Sequence, residues 1–479
     1  MCAKDFSINI KNDVAKPGMA ANLNINSPAP AVGGNGLSVN QPPPAQVEEK
    51  ELPANQVYGN IPDRPVLDAV EGIKFDFNDG IRVATPANGR EYRVAFSDMD
   101  TGVYLYNAVI PPGGMVTSIK KFFIRFRLEI YRKGGTEPIF THEYDPTGQQ
   151  VMIQLPVSTL GDPIGWYPYA VKFHRKYKCE VIAVLDERMI DILKDQYPEI
   201  TMISAKETVR YKPYACYYLG LFFRGNTSNQ PSDFRYVGLH RTAGYILGVD
   251  PEEEVPKFNL SAPRQIDEPY VCIAVQSSNQ AKYWNNPSGW LDVVKFLRAN
   301  GYRVLCMDRE AVYGWGTNYN VIPNGAEDLT GNKSLQERID VIKDSDFFVG
   351  LSSGLSWLAW GCKVPVVMIS GLTHPLNEYN NPYRVINYHT CNSCWNDMRI
   401  DFDHYDFLWC PRHKGTDRHF ECTKMISSYQ VIETIKRIPA FQAQAARHEA
   451  ATKAAEGKDK SAKSENSSNA GGGKSKKGK

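Results

Sequence analysis

The stretch Ser158-Thr159-Leu160-Gly161-Asp162-Pro163-Ile164-Gly165-Trp166 joins two unlike patterns. Before it runs Val151-Met-Ile-Gln-Leu-Pro-Val157, an apolar segment that reads as a buried strand. After it, Tyr169, Val171 and Phe173 fall at helical spacing. A carboxylate on a glycine turn is thereby expected between the carboxyl end of a strand and the start of a helix. In open α/β sheets that crevice is where ligands bind. A plainer alternative makes Asp162 only an N-cap, with Pro163 at the first helical position.

Outward from this stretch, strands alternate with helices. Strands are expected at Cys179–Leu185 and Ile200–Ser204, with a helix over 186–195 between them. A second series opens at Tyr270–Val275. It continues with a helix over 290–300, a strand over 302–307, a helix over 334–343, a strand over 347–350, a helix from Gly354 and a strand over 364–369. Such alternation implies parallel sheets covered on both faces. Two series divided near 250–269 imply two Rossmann-like domains with a cleft between them. Before them, short alternating runs separated by Asp79-Gly80, Asp100-Thr-Gly102 and Lys133-Gly-Gly135 read as an antiparallel β domain. The expected division is a disordered arm over 1–65, a β domain over 66–147, an acceptor-side domain over 148–262, a donor-side domain over 263–440 and a disordered tail over 441–479.

Composition narrows the class. The 479 residues carry a formal net charge of +2, so no global field favours nucleic acid or anionic membrane. No apolar run is long enough to span a bilayer. The first residues lack the basic start and apolar core of a signal peptide, so a cytoplasmic location is expected, with the ten cysteines reduced or metal-bound.

Three loops at strand ends of the second series carry phosphate and ribose chemistry. Gln276–Asn286 contains Lys282, which suits an anion. Asp308 ends the next strand, where an acidic residue suits a ribose hydroxyl. Ser352-Ser353-Gly354-Leu355-Ser356 lets N–H groups and hydroxyls approach a phosphate at the positive end of a helix. Together they suggest a nucleotide diphosphate ligand. No Asp-x-Asp motif lies at a suitable strand end, so no divalent ion is expected at the donor. Cys391-x2-Cys394-x15-Cys410-x11-Cys422 has the spacing of a four-thiolate metal site, in a segment with no clear periodicity. Zinc and iron share this ligand set. His389, His404, His413 and His419 read as neighbours of the site or surface groups.

Ser158-Thr-Leu-Gly-Asp162 followed by Gly165-Trp-Tyr-Pro resembles the S-x-G-D start of the lipopolysaccharide heptosyltransferases, and Ser353-Gly-Leu-Ser356 resembles their donor-phosphate loop. Tyr245–Asp250, Gln280–Asn286, Gly325–Asp328, Gly354–Trp360 and Phe407–His413 resemble more closely the bacterial autotransporter heptosyltransferases (TibC-like), over about residues 72–437. The resemblance implies a GT-B architecture with an added N-terminal β-barrel domain and transfer of heptose from ADP-heptose to serines of an autotransporter adhesin passenger. It implies iron on the four cysteines, within a metal finger over 389–424, and a homo-oligomer, a dodecamer. It makes Asp162 the general base, Lys282 a donor-phosphate contact and the 352–356 loop the diphosphate cradle. Ser352, Ser353 and Trp357 depart from the D-T-G-L-S-H of the lipopolysaccharide enzymes, which favours the protein-modifying branch. Another nucleotide sugar, or a metal-stabilised nucleotide-binding scaffold without turnover, are the alternatives.

Overall fold

A computed structural model describes residues 58–156, 159–220, 227–316, 318–403 and 406–470, without the side chains of 457–470. The expected arm, up to residue 57, and the last nine residues lie outside the described residues, as do Val157, Ser158 and His404. The chain forms two compact units. Unit 1 is built by residues up to Asn259 together with Pro375–Tyr379 and Trp395–Asp406; unit 2 is built by the rest.

Unit 1 contains β1 (Leu67–Asp68), β2 (Lys74–Asn78), β3 (Arg82–Ala84), β4 (Tyr92–Asp98), β5 (Tyr104–Ile110), β6 (Met115–Thr117), β7 (Phe126–Arg132), β8 (Phe140–Glu143) and β9 (Gln150–Gln154). Then come α1 (Gly161–Tyr177), β10 (Glu180–Val184), α2 (Glu187–Leu193), β11 (Thr201–Ile203), β12 (Ala215–Tyr218), α3 (Phe234–Val237) and α4 (Leu239–Leu247). The main sheet has the order β11-β10-β9-β12-β2-β3-β6, with β1 beside β2. Its β11 to β2 part is parallel, and β3 is antiparallel to both of its neighbours, β2 and β6.

The turn signal at Asp79-Gly80 forms the expected hairpin: both residues take left-handed φ, 61° and 83°, and β2 pairs with β3 across them. Arg82 donates to both carboxylate oxygens of Asp76 at 2.8 Å inside this hairpin, so the buried charge is matched. The β segment does not close into a barrel among the described residues. Its strands divide between the main sheet and a separate antiparallel sheet, β5-β4-β7-β8. The reason lies in β2: its apolar residues Phe75 and Phe77 suit a covered sheet, and it pairs in parallel with β12 at Phe77↔Ala215 and Asn78↔Cys216.

Unit 2 contains β13 (Tyr270–Ile273), α5 (Gly289–Ala299), β14 (Arg303–Cys306), β15 (Val312–Trp315), β16 (Asn318–Val321), β17 (Glu327–Asp328), α6 (Leu335–Ile342), β18 (Phe348–Leu351), α7 (Gly354–Gly361), β19 (Val366–Ile369), β20 (Arg384–Val385), α8 (Glu421–Lys424), α9 (Ser428–Ile435) and α10 (Pro439–Ala470). Its six-stranded sheet, β17-β14-β13-β18-β19-β20, is parallel throughout. Ser334 and Glu337 form a capping box that starts α6 where the sequence places it.

The segment expected to be a disordered tail is instead helical as far as Ala470. Its Ala, Glu, Gln and Lys content favours helix, and Phe441 anchors it by stacking on Phe296 at 5.3 Å. No described helix is long and apolar enough to cross a membrane.

His240 of α4 is buried against α1 and meets Tyr169 edge-on at 5.7 Å. Burial pushes its pKa down from 6.5 to about 3, against a smaller opposing effect from the Gly165 main chain. A base with a depressed folded pKa stabilises the fold above its unfolded value and loses that contribution as pH falls. Thermal melts from pH 7 down to about pH 4 therefore show stability falling below about 6.5, and His240→Gln flattens that fall. An unchanged slope in the variant contradicts the assignment.

Candidate active site and metal centre

In unit 1, α1 begins at Gly161, and Leu160 occupies the N-cap position without a side-chain cap bond. Asp162 is therefore not the cap. It sits half-buried in the first turn, where the positive end of the helix favours a carboxylate. Trp166 lies one turn on, so it shares a helix face with Asp162, and its indole N–H donates to the Leu239 carbonyl at 2.9 Å.

In unit 2 the strand order creates a switch point. From β13 the chain continues to β14 on one side, and later places β18 on the other. A crevice at the carboxyl ends of such strands is the usual ligand site of an open parallel sheet. The loops after β14, β13 and β18 are the three singled out from sequence, and adjacent pairing sets them side by side.

Within this group the structure separates reaching residues from supporting ones. Asn279 caps the short helix Gln280–Lys282 by accepting from the Ala281 N–H at 2.7 Å. Lys282 is half-buried, and among the described residues its ammonium has no hydrogen-bond or ion-pair partner. Ser353 precedes α7 without capping it, so the first N–H groups of that helix have no intrahelical acceptor. Gly350 is required beneath this loop: a Cβ there would lie 2.5 Å from the Phe348 ring and 2.9 Å from the Ser356 hydroxyl.

Asp308 does not present itself to a ligand. It is 2% exposed, and its oxygens accept from the Val275 and Gln276 N–H groups at 2.8 and 3.2 Å. Burial raises its pKa, partly offset by those N–H donors. The ribose role expected of it becomes a supporting one: it ties the end of β13, and so the base of the Lys282 loop, to the end of β14. Ser356 is also turned inward, donating to the Leu351 carbonyl at 2.5 Å. Ser352 is buried and accepts from the Thr373 hydroxyl at 3.2 Å. Ser353, Gly354 and Leu355 stay partly accessible.

The four cysteines of the predicted metal site all lie in unit 2. Cys394, Cys410 and Cys422 are buried and Cys391 is partly exposed. Burial pushes the Cys391 thiol up to about 12; Glu421, then Cys394 and Cys410, add to that. Burial raises Cys422 as well, followed by Cys391, Cys394 and Cys410. The Cys391 and Cys422 sulfurs thus lie in the field of the other cysteines. Two left-handed residues shape the cluster, Ser393 (φ 59°) and Phe420 (φ 57°). Gly371 leaves room for Cys422, whose Cβ lies 2.9 Å from where an added Cβ would stand.

The ligand atoms of His413 and Glu421 fall within 4.8 Å of the Cys391 sulfur, a proximity that sequence spacing did not reveal. The Arg418 guanidinium holds the Glu421 carboxyl down at about 2. Among the described residues, the group close enough to share an ion is thus Cys391, His413 and Glu421, and the other three cysteines lie outside it.

Comparisons with known proteins bear on both sites. Residues 70–134 match the family described as glycosyltransferase TibC, N-terminal domain, and residues 240–399 match glycosyltransferase family 9 (heptosyltransferase). The autotransporter heptosyltransferase BAHTCr of Citrobacter rodentium is 50% identical over 379 residues, which is 79% of this chain and 92% of that protein. The chain belongs to the autotransporter heptosyltransferase family. The crystal structure of the family member TibC, a dodecameric iron-containing heptosyltransferase in complex with ADP-D-beta-D-heptose, superposes with a TM-score of 0.78 at 48% identity, covering 80% of this chain and 99% of TibC. The two-unit α/β fold is thus GT-B-like, with a strand-rich N-terminal part. A further family member, BimC of Burkholderia thailandensis, is 40% identical over 79% of this chain and 88% of its own, and is described as inactive.

Elemental analysis of the purified protein tests the metal centre. Cys394→Ser and Cys410→Ser are each expected to cut bound metal to below about a tenth and to lower Tm, whereas His413→Ala retains most of it. Metal lost in His413→Ala and kept in both serine variants would place the ion on Cys391, His413 and Glu421 instead.

Proposed function

We propose that this chain is a protein O-heptosyltransferase that moves heptose from ADP-heptose to serine hydroxyls of an autotransporter adhesin passenger, inverting the anomeric centre. The observation that carries the proposal is that Lys282, whose ammonium has no partner among the described residues, and the uncapped start of α7 follow adjacent strands at the switch point of a parallel sheet. That arrangement suits a leaving diphosphate, and the similar protein TibC is solved with ADP-D-beta-D-heptose.

A serine hydroxyl is a weak nucleophile at neutral pH. Its oxygen attacks the anomeric carbon while the bond from that carbon to the ADP oxygen breaks. ADP leaves with the electron pair, and the serine proton passes to the Asp162 carboxylate, a contribution of about 10²–10⁴-fold. Lys282 and the N–H groups of Gly354 and Leu355 stabilise the charge gathering on the diphosphate. Cys391, Cys394, Cys410 and Cys422 hold one iron ion, which pins an irregular segment rather than taking part in transfer. Zinc is the alternative ion. The described cysteines are all free, which suits a reducing, cytoplasmic setting. The chain assembles as a homo-oligomer, a dodecamer by analogy with TibC.

The inactive relative BimC favours weighing a second reading, a nucleotide-binding scaffold without turnover. Release of ADP from ADP-heptose, followed with and without a purified passenger, separates the two. The enzyme releases ADP only when passenger is present. Asp162→Asn loses about 10²-fold or more of that rate while its Kd for ADP-heptose stays within about twofold, and Lys282→Ala weakens donor binding. Transfer retained by Asp162→Asn contradicts the base, and passenger-independent ADP release contradicts the protein-directed activity.

A further inference from the structure

The turn that carries Lys282 is fastened by one side chain. The Asn285 amide nitrogen lies 3.1 Å from the Gln280 carbonyl, 3.1 Å from the Tyr283 carbonyl and 2.8 Å from the Thr423 hydroxyl. Its oxygen accepts from the Gln280 side-chain amide. Main-chain carbonyls only accept, so these partners fix which end of the Asn285 amide faces them. Gln280 opens the short helix Gln280–Lys282 and Tyr283 is its C-cap. The Tyr283 N–H also donates to the Gln280 carbonyl, at 3.1 Å. Asn285 thus joins the two ends of the turn around Lys282.

The third contact leads out of the loop, into the cysteine segment of the same unit. Thr423 follows Cys422 and is buried. Its hydroxyl donates to the Phe420 carbonyl at 3.4 Å, which leaves its lone pairs for the Asn285 amide. The neighbours of Asn285 hold the same stretch. The Trp284 indole N–H donates to the Ile426 carbonyl at 2.8 Å, and the Asn286 amide donates to the Lys424 and Ile426 carbonyls, both at 3.2 Å. On the other flank the Gln280 N–H donates to the Phe407 carbonyl at 2.9 Å, and Tyr283 meets the Phe407 ring edge-on at 6.0 Å. The loop after β13 therefore rests on the cysteine segment on both sides of Lys282.

We infer that Asn285 is a positioning residue for the donor: with Thr423 it fixes the turn that aims Lys282, and the cysteine segment is the platform on which the donor-phosphate loop is built. This rests on the reading of Lys282 as the diphosphate contact. A lysine side chain already loses rotamer freedom when it closes on an anion. If the main chain beneath it were loose as well, binding would have to order both, and affinity would fall. The Asn285 amide removes the second of these costs before the donor arrives.

Calorimetric titration of the full-length protein with ADP, beside Lys282→Ala, tests this. Asn285→Ala raises the Kd for ADP about tenfold. Thr423→Val keeps the buried shape but removes the acceptor, and raises it about three- to tenfold. Thr423→Ser keeps the hydroxyl and stays within about twofold of wild type. In a Lys282→Ala background Asn285→Ala adds less than about twofold, because the group it aims is gone. A general loosening of unit 2 would add its full effect in that background and would not be cured by serine. Wild-type ADP binding by Asn285→Ala, beside a weakened Lys282→Ala, overturns the inference and leaves the Lys282 contact standing. So does an undiminished loss when Asn285→Ala is added to Lys282→Ala. Wild-type ADP binding by Lys282→Ala overturns both. Should Asn285→Ala not fold, Thr423→Val against Thr423→Ser decides alone.

Discussion

The parallel pairing of strands fixes where chemistry can occur in this chain. In a parallel sheet every strand runs the same way, so every connecting loop of one kind emerges at the same edge. Register in unit 1 sets Gln154 beside Tyr218, and in unit 2 it sets Ile273 beside Cys306 and Val349. The residues that follow these positions are the ones given functional roles. The sheet places them, and hydrogen bonds such as those of Asp308 to the neighbouring strand end and of Asn279 within its own loop orient them.

Much of this was legible from residues alone because the signals were local and strong. Asp79-Gly80 specifies a hairpin by its φ preference, and Ser334 with Glu337 specifies a helix start by reciprocal hydrogen bonds. Alternating strands and helices specify parallel sheets. What stayed illegible depends on contacts between distant parts of the sequence. The parallel pairing of β2 with β12, which draws the β segment into the main sheet, joins residues far apart in the chain. Tyr58 carries no motif, and its bond to Leu219 spans 161 positions. Asp308 was correctly placed at a strand end, but sequence does not say which way a carboxylate turns. The helix α10 escapes a reading that weighs its polarity above the helix propensity of alanine, glutamate and lysine.

The cysteine segment shows the opposite balance. Its spacing announces a metal site more plainly than any other part of the chain, yet among its described residues the helical structure is α8 and a turn at Cys394–Asn396. Two left-handed residues and a glycine too crowded to be replaced hold its path. On the proposed reading, a cation held in this segment supplies the cohesion that an apolar core supplies elsewhere. His413 and Glu421 join the neighbourhood of Cys391 only through folding, so spacing could not have included them.

The central claim is that this protein transfers heptose to a passenger protein through an aspartate that takes the serine proton. The most direct measurement is the intact mass of an autotransporter passenger co-expressed with the wild-type chain. The account predicts a ladder of masses separated by one heptose residue, mapping to serines on peptide analysis. A passenger of unmodified mass, or increments matching a hexose, would contradict it.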